Sequence, residues 1–228
     1  MSNRGESAGD EKETGRVEAF SDGVFGIAIT LLVLDIKVPK AAEVAPPLSL
    51  AAALLGQWPV YAAYVLSFAT VLIMWTNHHK MFRLIRRSNH VFLIVNGVLL
   101  MFVTLVPFPT ALLAEHIAQP GGSTAAAVYS GTFVFIAILF NVLWRYAAHG
   151  GRLLARGHDV EAAATITRQY RFGPLLYLVA FGLAFVSVPA RVGLCGCLAA
   201  FFALPGRRQK AGGGACLGAC PTRLLPIA

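Results

Sequence analysis

Three features of this sequence predict an all-α membrane protein. Apolar runs as long as a bilayer is thick recur along the chain, charged residues are scarce, and the basic ones gather in alternate loops. Of the 228 residues, 57% are hydrophobic and 13% are charged, against about 25% charged in an ordinary soluble domain. The apolar runs are too long and too frequent to share one soluble core in a chain of this size. A net charge of +8 would suggest nucleic acid in a soluble protein. Placed in loops between apolar runs it sets membrane orientation instead, so no nucleic-acid partner is expected.

A spanning helix takes about 20 mostly apolar residues, and six segments fit. The first runs from Val17 to Val38. The second runs from Leu54 to Thr76, with Pro59 near its start. The third runs from Val91 to Leu113, with Pro107 and Pro109 toward its end. The fourth covers Ser123 to Ala148, the fifth Phe172 to Val188 and the sixth Ala190 to Leu204. The sixth is short and begins with Arg191. Residues 1–15 read as a disordered cytoplasmic N-terminus, 16–205 as the six-helix transmembrane domain and 206–228 as a disordered cytoplasmic tail. The stretch from Pro39 to Gln57 looks irregular. The loop after the fourth helix has room for a short amphipathic helix near Asp159 to Arg168. Asn141, Trp144 and Arg145 read as interfacial anchors at the end of the fourth helix.

The loops test this division independently. Of the 19 Lys and Arg, 16 fall on the side of the termini, and Lys37, Lys40 and Arg191 fall on the other. The positive-inside rule then puts both termini in the cytoplasm of a multi-pass protein of the cell membrane. Both termini on one side requires an even number of spans, which supports the short sixth helix. The polar N-terminus lacks the pattern of a cleavable signal peptide. Cys195, Cys197, Cys216 and Cys220 lack the paired C-x2-C spacing of a zinc site, so free thiols and no metal are expected.

The first helix holds the most informative residues. Ionisable groups inside a span are costly and mark function, and Asp22 lies one to two turns inside. On a helical wheel, Ile27, Thr30, Leu31 and Leu34 fall on one stripe, with Asp22 roughly 140° from Ile27. An acid buried in a membrane needs donors, and Trp75, Asn77, His78, His79 and Asn96 are the candidates. Adjacent histidines on a helix diverge, so His78 and His79 do not make a metal pair. No hydrolase triad, phosphate loop or dinucleotide fingerprint occurs, so no enzyme and no cofactor are expected.

Arg16-x3-Phe20-Ser21-Asp22-Gly23, followed by Gly-Ile-Ala-Ile-Thr-Leu-Leu-Val-Leu-Asp-Ile-Lys-Val-Pro, resembles the signature of the transmembrane protein 175 family, which includes the endosomal and lysosomal potassium channel. The likeness extends from Arg16 to Leu204, through Trp75, His78 and His79 and through Pro107-Phe108-Pro109. It implies a passive channel that prefers potassium ions, with the first helices of several subunits around the pore. One signature and no internal repeat resemble the prokaryotic members, which implies a homotetramer in the lipid bilayer. By position, the hydrophobic constriction falls to Ile27, Leu31 and Leu34, with Thr30 as a nearby hydroxyl. Arg16, Phe20, Ser21, Asp22 and Gly23 would brace the helix. No Thr-Val-Gly-Tyr-Gly carbonyl filter is present; a ring of Ile and Leu instead makes a dewetted neck. The competing readings are a proton-coupled or other secondary transporter built on Asp22, a membrane enzyme using His78 and His79, and a structural subunit.

Overall fold

The computed structural model describes residues 3–40, 49–117, 119–155, 159–168 and 170. The expected fifth and sixth helices, the four cysteines and the tail lie outside these residues. Helix α1 spans Asn3–Leu31 and runs on as a 3-10 turn, Leu32–Asp35. Then come α2 (Leu50–Gly56), α3 (Trp58–Phe82), α4 (His90–Leu105), α5 (Pro107–His116) and α6 (Gly122–Ala148). A last helix, α7, covers 160–168. Among the described residues there is no strand, only an isolated bridge between Ile85 and Leu154. Four helical stretches are long and apolar enough to cross a bilayer: Thr14–Asp35, Trp58–Phe82, His90–His116 and Gly122–Gly151. They coincide with the first four segments expected from the sequence.

Helix α1 lies against α3 and α4, α4 also packs on α6, and α5 joins α3 to α6. Phe25, Leu32, Val71, Phe92, Leu99, Val103, Ile136 and Leu143 fill the space between them and are fully buried.

The structure departs from the sequence reading at four places. Helix α1 begins at Asn3, well before the Val17 at which the sequence reading starts the first span. The segment between them holds no proline, and its Glu, Ala and Lys are good helix formers. The stretch before α3 is not wholly irregular, because α2 forms there with Ser49 as its cap, the Ser49 hydroxyl accepting from Ala52 N at 3.2 Å. Leu54 to Gly56 belong to α2, and α3 starts at Trp58 with Pro59 in its first turn, where a missing N–H costs nothing.

The third departure is the break between α4 and α5. Pro107 has no N–H for the Val103 carbonyl, and its ring crowds that carbonyl. Val106 N turns to Val103 O instead, at 3.2 Å, and the helix restarts. Beyond the break, α5 is held sideways. Thr110 donates to Val106 O at 2.8 Å, Ser67 lies 2.8 Å from the Thr110 hydroxyl, and Tyr129 lies 3.1 Å from Ser67. Each hydroxyl has one proton, so the order of donation is Tyr129 to Ser67 to Thr110 to the backbone.

The fourth concerns Asn141 and Trp144, which are buried instead of anchoring at an interface; only Arg145 is exposed. Trp144 Nε1 donates to Thr167 Oγ1 at 2.9 Å, and Asn141 Nδ2 donates to the Tyr170 carbonyl. The Tyr170 hydroxyl donates to Asn77 O at 3.3 Å. Thr167 thereby fixes α7 to α6, Tyr170 beyond it meets both α3 and α6, and Asp159 caps α7 by accepting from Glu161 N and Ala162 N at 2.9 and 3.0 Å.

The loops at this end are tied as well. Arg86 N donates to Leu153 O at 2.9 Å and Ala155 N to Leu84 O at 3.0 Å. Asn89 caps α4 through Phe92 N at 2.9 Å, and its amide donates to the Tyr146 hydroxyl at 2.9 Å. Asn89→Ala removes the cap and the cross-link together. We expect a loss of about 1–2 kcal/mol, and hence a melting temperature several degrees lower in detergent, read by thermal unfolding; an unchanged midpoint would show that the cap carries no stability.

Candidate functional site

Helix α1 has two faces that follow from its spacing. Ser21, Phe25, Ala28 and Leu32 recur every three or four residues and are completely buried against α3 and α4. Ile27, Leu31 and Leu34 recur on the other side and are 57%, 39% and 70% exposed. Thr30 shares that side, as do Arg16, Phe20 and Gly23. The Thr30 hydroxyl donates to Ile27 O at 2.8 Å. With its proton returned to the helix, the oxygen presents lone pairs outward, the polarity a cation needs.

The inward face is held by polar contacts to two neighbouring helices. Ser21 donates to Val17 O at 2.8 Å and accepts from Asn96 Nδ2 at 3.1 Å. Since that amide nitrogen is the donor, Asn96 Oδ1 faces His78 Nε2 at 3.0 Å as the acceptor. This fixes the proton of the fully buried His78 on Nε2. The ring stacks on Phe82 at 4.4 Å and tilts against Phe25 at 5.3 Å, and Nδ1 has no hydrogen-bond partner among the described residues.

Asp22 is half-buried against α3. Its Oδ1 accepts from Trp75 Nε1 at 2.8 Å. The Trp75 ring stacks with His79 at 6.0 Å and 22°. His79 Nδ1 in turn lies 2.9 Å from Glu18 Oε1, one turn back along α1. The five candidate donors thus divide. Trp75 serves Asp22, Asn96 serves Ser21, His78 donates to Asn96, His79 meets Glu18, and Asn77 lends its backbone carbonyl to Tyr170. Arg16, Phe20 and Gly23 are exposed within one chain and make none of these contacts.

Glu18 was not singled out from the sequence. The signal was there: Glu18 and Asp22 are four apart on α1, and Trp75 and His79 are four apart on α3, so two rungs match. Among the described residues no group of His, Cys, Asp and Glu has the makings of a metal site.

The family model described as the endosomal/lysosomal potassium channel TMEM175 matches residues 16–107. A potassium channel of Chamaesiphon minutus is 56% identical over 197 residues, covering 86% of this chain and 97% of its own. The chain belongs to the TMEM175 family. A potassium channel of Streptomyces collinus is 47% identical over 191 residues, covering 83% of this chain and 91% of its own. The crystal structure of a lysosomal potassium-selective channel TMEM175 homolog from Chamaesiphon minutus superposes with a TM-score of 0.77 at 54% identity, over 85% of this chain and 97% of that one. The family is one of channels and not of enzymes, and potassium is the ion these relatives are named for.

Asn96 joins α1, α3 and α4, so its loss leaves His78 Nε2 buried with no acceptor. We expect Asn96→Leu to cost about 1–3 kcal/mol, more than Ser21→Ala, whose hydroxyl is one of two partners. Thermal unfolding of the two variants checks the order; equal losses would remove Asn96 from its central place.

Proposed function

We propose that this chain is a passive potassium channel whose α1 lines the pore. The observation that carries the reading is the division of α1: Ile27, Leu31 and Leu34 turn out of the bundle, while Ser21 and Asp22 anchor it from behind. A solitary subunit gives such an apolar stripe no protein partner, and several copies facing one another make it a ring. A ring of Ile and Leu side chains is a hydrophobic constriction that excludes ions until it widens. Thr30, with its lone pairs outward, offers oxygen to a partly dehydrated ion at the same level. The relatives named as potassium channels supply the ion.

The same reading takes residues 16–205 as the channel domain with six spanning helices, four chains to a pore, and both termini in the cytoplasm of a prokaryotic cell. The 16-to-3 division of basic residues supports the orientation. Ser21 and Asp22 act as braces, so the inner face stays fixed while the outer face meets the ion. A carrier built on Asp22 has less support, because that carboxylate is engaged by Trp75 between two helices.

Potassium flux into liposomes holding the purified protein tests the proposal. Ile27→Asn and Leu31→Asn wet the neck and are expected to raise flux about tenfold, equivalent to about 1.4 kcal/mol off the barrier. Wild-type protein without flux, or flux indifferent to both substitutions, rejects the pore. Chemical crosslinking in the membrane should give a ladder ending at four chains, and a strict monomer rejects the ring.

A further inference from the structure

Three ties hold α1 to its neighbours, and one differs from the other two. Asn96 and Trp75 reach Ser21 and Asp22 through an amide and an indole, which keep their protons at any physiological pH. Glu18 and His79 lie 2.9 Å apart, Oε1 to Nδ1, and an imidazole changes charge between about pH 5 and pH 8. His79 Nδ1 makes no hydrogen bond among the described residues. Its attraction to Glu18 is therefore one of charge, present when the ring is protonated and absent when it is neutral. The Trp75 ring stacks on the imidazole at 6.0 Å and 22°, and an indole face favours a cation at that range. The His79 side chain is 46% exposed and lies in the last turn of α3, at the aqueous end of the span. Glu18 sits about 180° from Ile27 on the helical wheel, so a ring of α1 helices leaves this pair on its far side.

The charged groups around the ring decide the sign. Among the described residues, α1 brings Glu18 and, one turn on, Asp22. Helix α2 has no ionisable group, and α4 brings His90 at its first residue. The 3-10 turn and α5 carry Asp35, Glu115 and His116 at the other end of the bundle. On α3 itself His78 is turned into the core, and Lys80 and Arg83 are exposed, where water and salt screen them. Tyr170 gives its hydroxyl to Asn77 O. The charge in contact with His79 is thus the Glu18 carboxylate, which favours the protonated ring. We propose that Glu18 and His79 are a positioning pair that sets α1 against α3 according to the pH at the basic end of the bundle. The proposal rests on the reading of α1 as the pore helix. Because Glu18 is opposite Ile27, the pull of a protonated His79 is directed away from the pore axis. Acid draws α1 back and favours the wide ring, and loss of the proton lets the ring narrow.

The experiment measures potassium flux and tryptophan emission of the full-length protein in liposomes, with the pH equal on both sides. From about pH 8 to about pH 5, wild-type flux is expected to rise about threefold, the factor a partly exposed ion pair supports. Tryptophan emission should fall over the same interval, because a protonated imidazole stacked on Trp75 quenches the indole. His79→Gln and Glu18→Gln should hold the alkaline flux throughout. His79→Lys, permanently charged, should hold the acid flux throughout, which a merely structural role for the side chain would not produce. Trp75→Phe should lose the fall in emission. The proposal is overturned if wild-type flux is flat or falls on acidification, if His79→Gln keeps the response of either signal, or if His79→Lys follows the wild type. Emission is read without ion flux. An emission change that His79→Gln removes, in a protein that passes no potassium, refutes the pore and upholds the tie. Flux without that emission change refutes the tie alone.

Discussion

Everything proposed for α1 depends on one side chain of α4. Asn96 donates to Ser21 on α1 and accepts from His78 on α3, at 3.1 and 3.0 Å. In an apolar surrounding an amide that bridges two helices has no water to replace a lost partner, so the three helices keep one rotational setting. The turn of α1 that puts Ser21 inward necessarily puts Ile27 and Leu34 outward. The packing of Phe25 against the His78 ring adds shape to that choice. Trp75 and Asp22 repeat it on the α3 side.

The arrangement separates two demands that one helix face cannot meet together. A constriction needs apolar side chains free to move apart, whereas a fixed position needs hydrogen bonds. The described structure places the hydrogen bonds on one side of α1 and the free apolar groups on the other. Thr30 is the exception on the outward side, and it spends its proton on its own helix.

Much of this was legible in the sequence, for physical reasons. Four apolar runs of bilayer length gave four spans because backbone groups in lipid must be satisfied within a helix. The wheel separated Ile27, Leu31 and Leu34 from Asp22 because helix period alone decides faces. Which of five donors would meet Asp22 was not legible, since it depends on the rotation and depth of α3 relative to α1. Nor was the inward turn of Asn141 and Trp144 legible. Residues of that kind at a helix end serve equally as interfacial anchors or as partners for a following segment, and Thr167 and Tyr170 decide it only after the chain returns. Pro107 was visible in the sequence, but a proline inside a long apolar run marks a bend or a stop with equal force.

That proline divides the third span mechanically. On one side of it Asn96 ties α4 to both α1 and α3. On the other, α5 moves with α3 and α6, to which the relay of Tyr129, Ser67 and Thr110 ties it. A helix without the break would carry any tilt of α1 along its whole length, like a rod. Here the turn at Val106 and Pro107 gives the two halves of the span separate bearings, α4 on α1 and α3 through Asn96 and α5 on α3 and α6 through the hydroxyl relay.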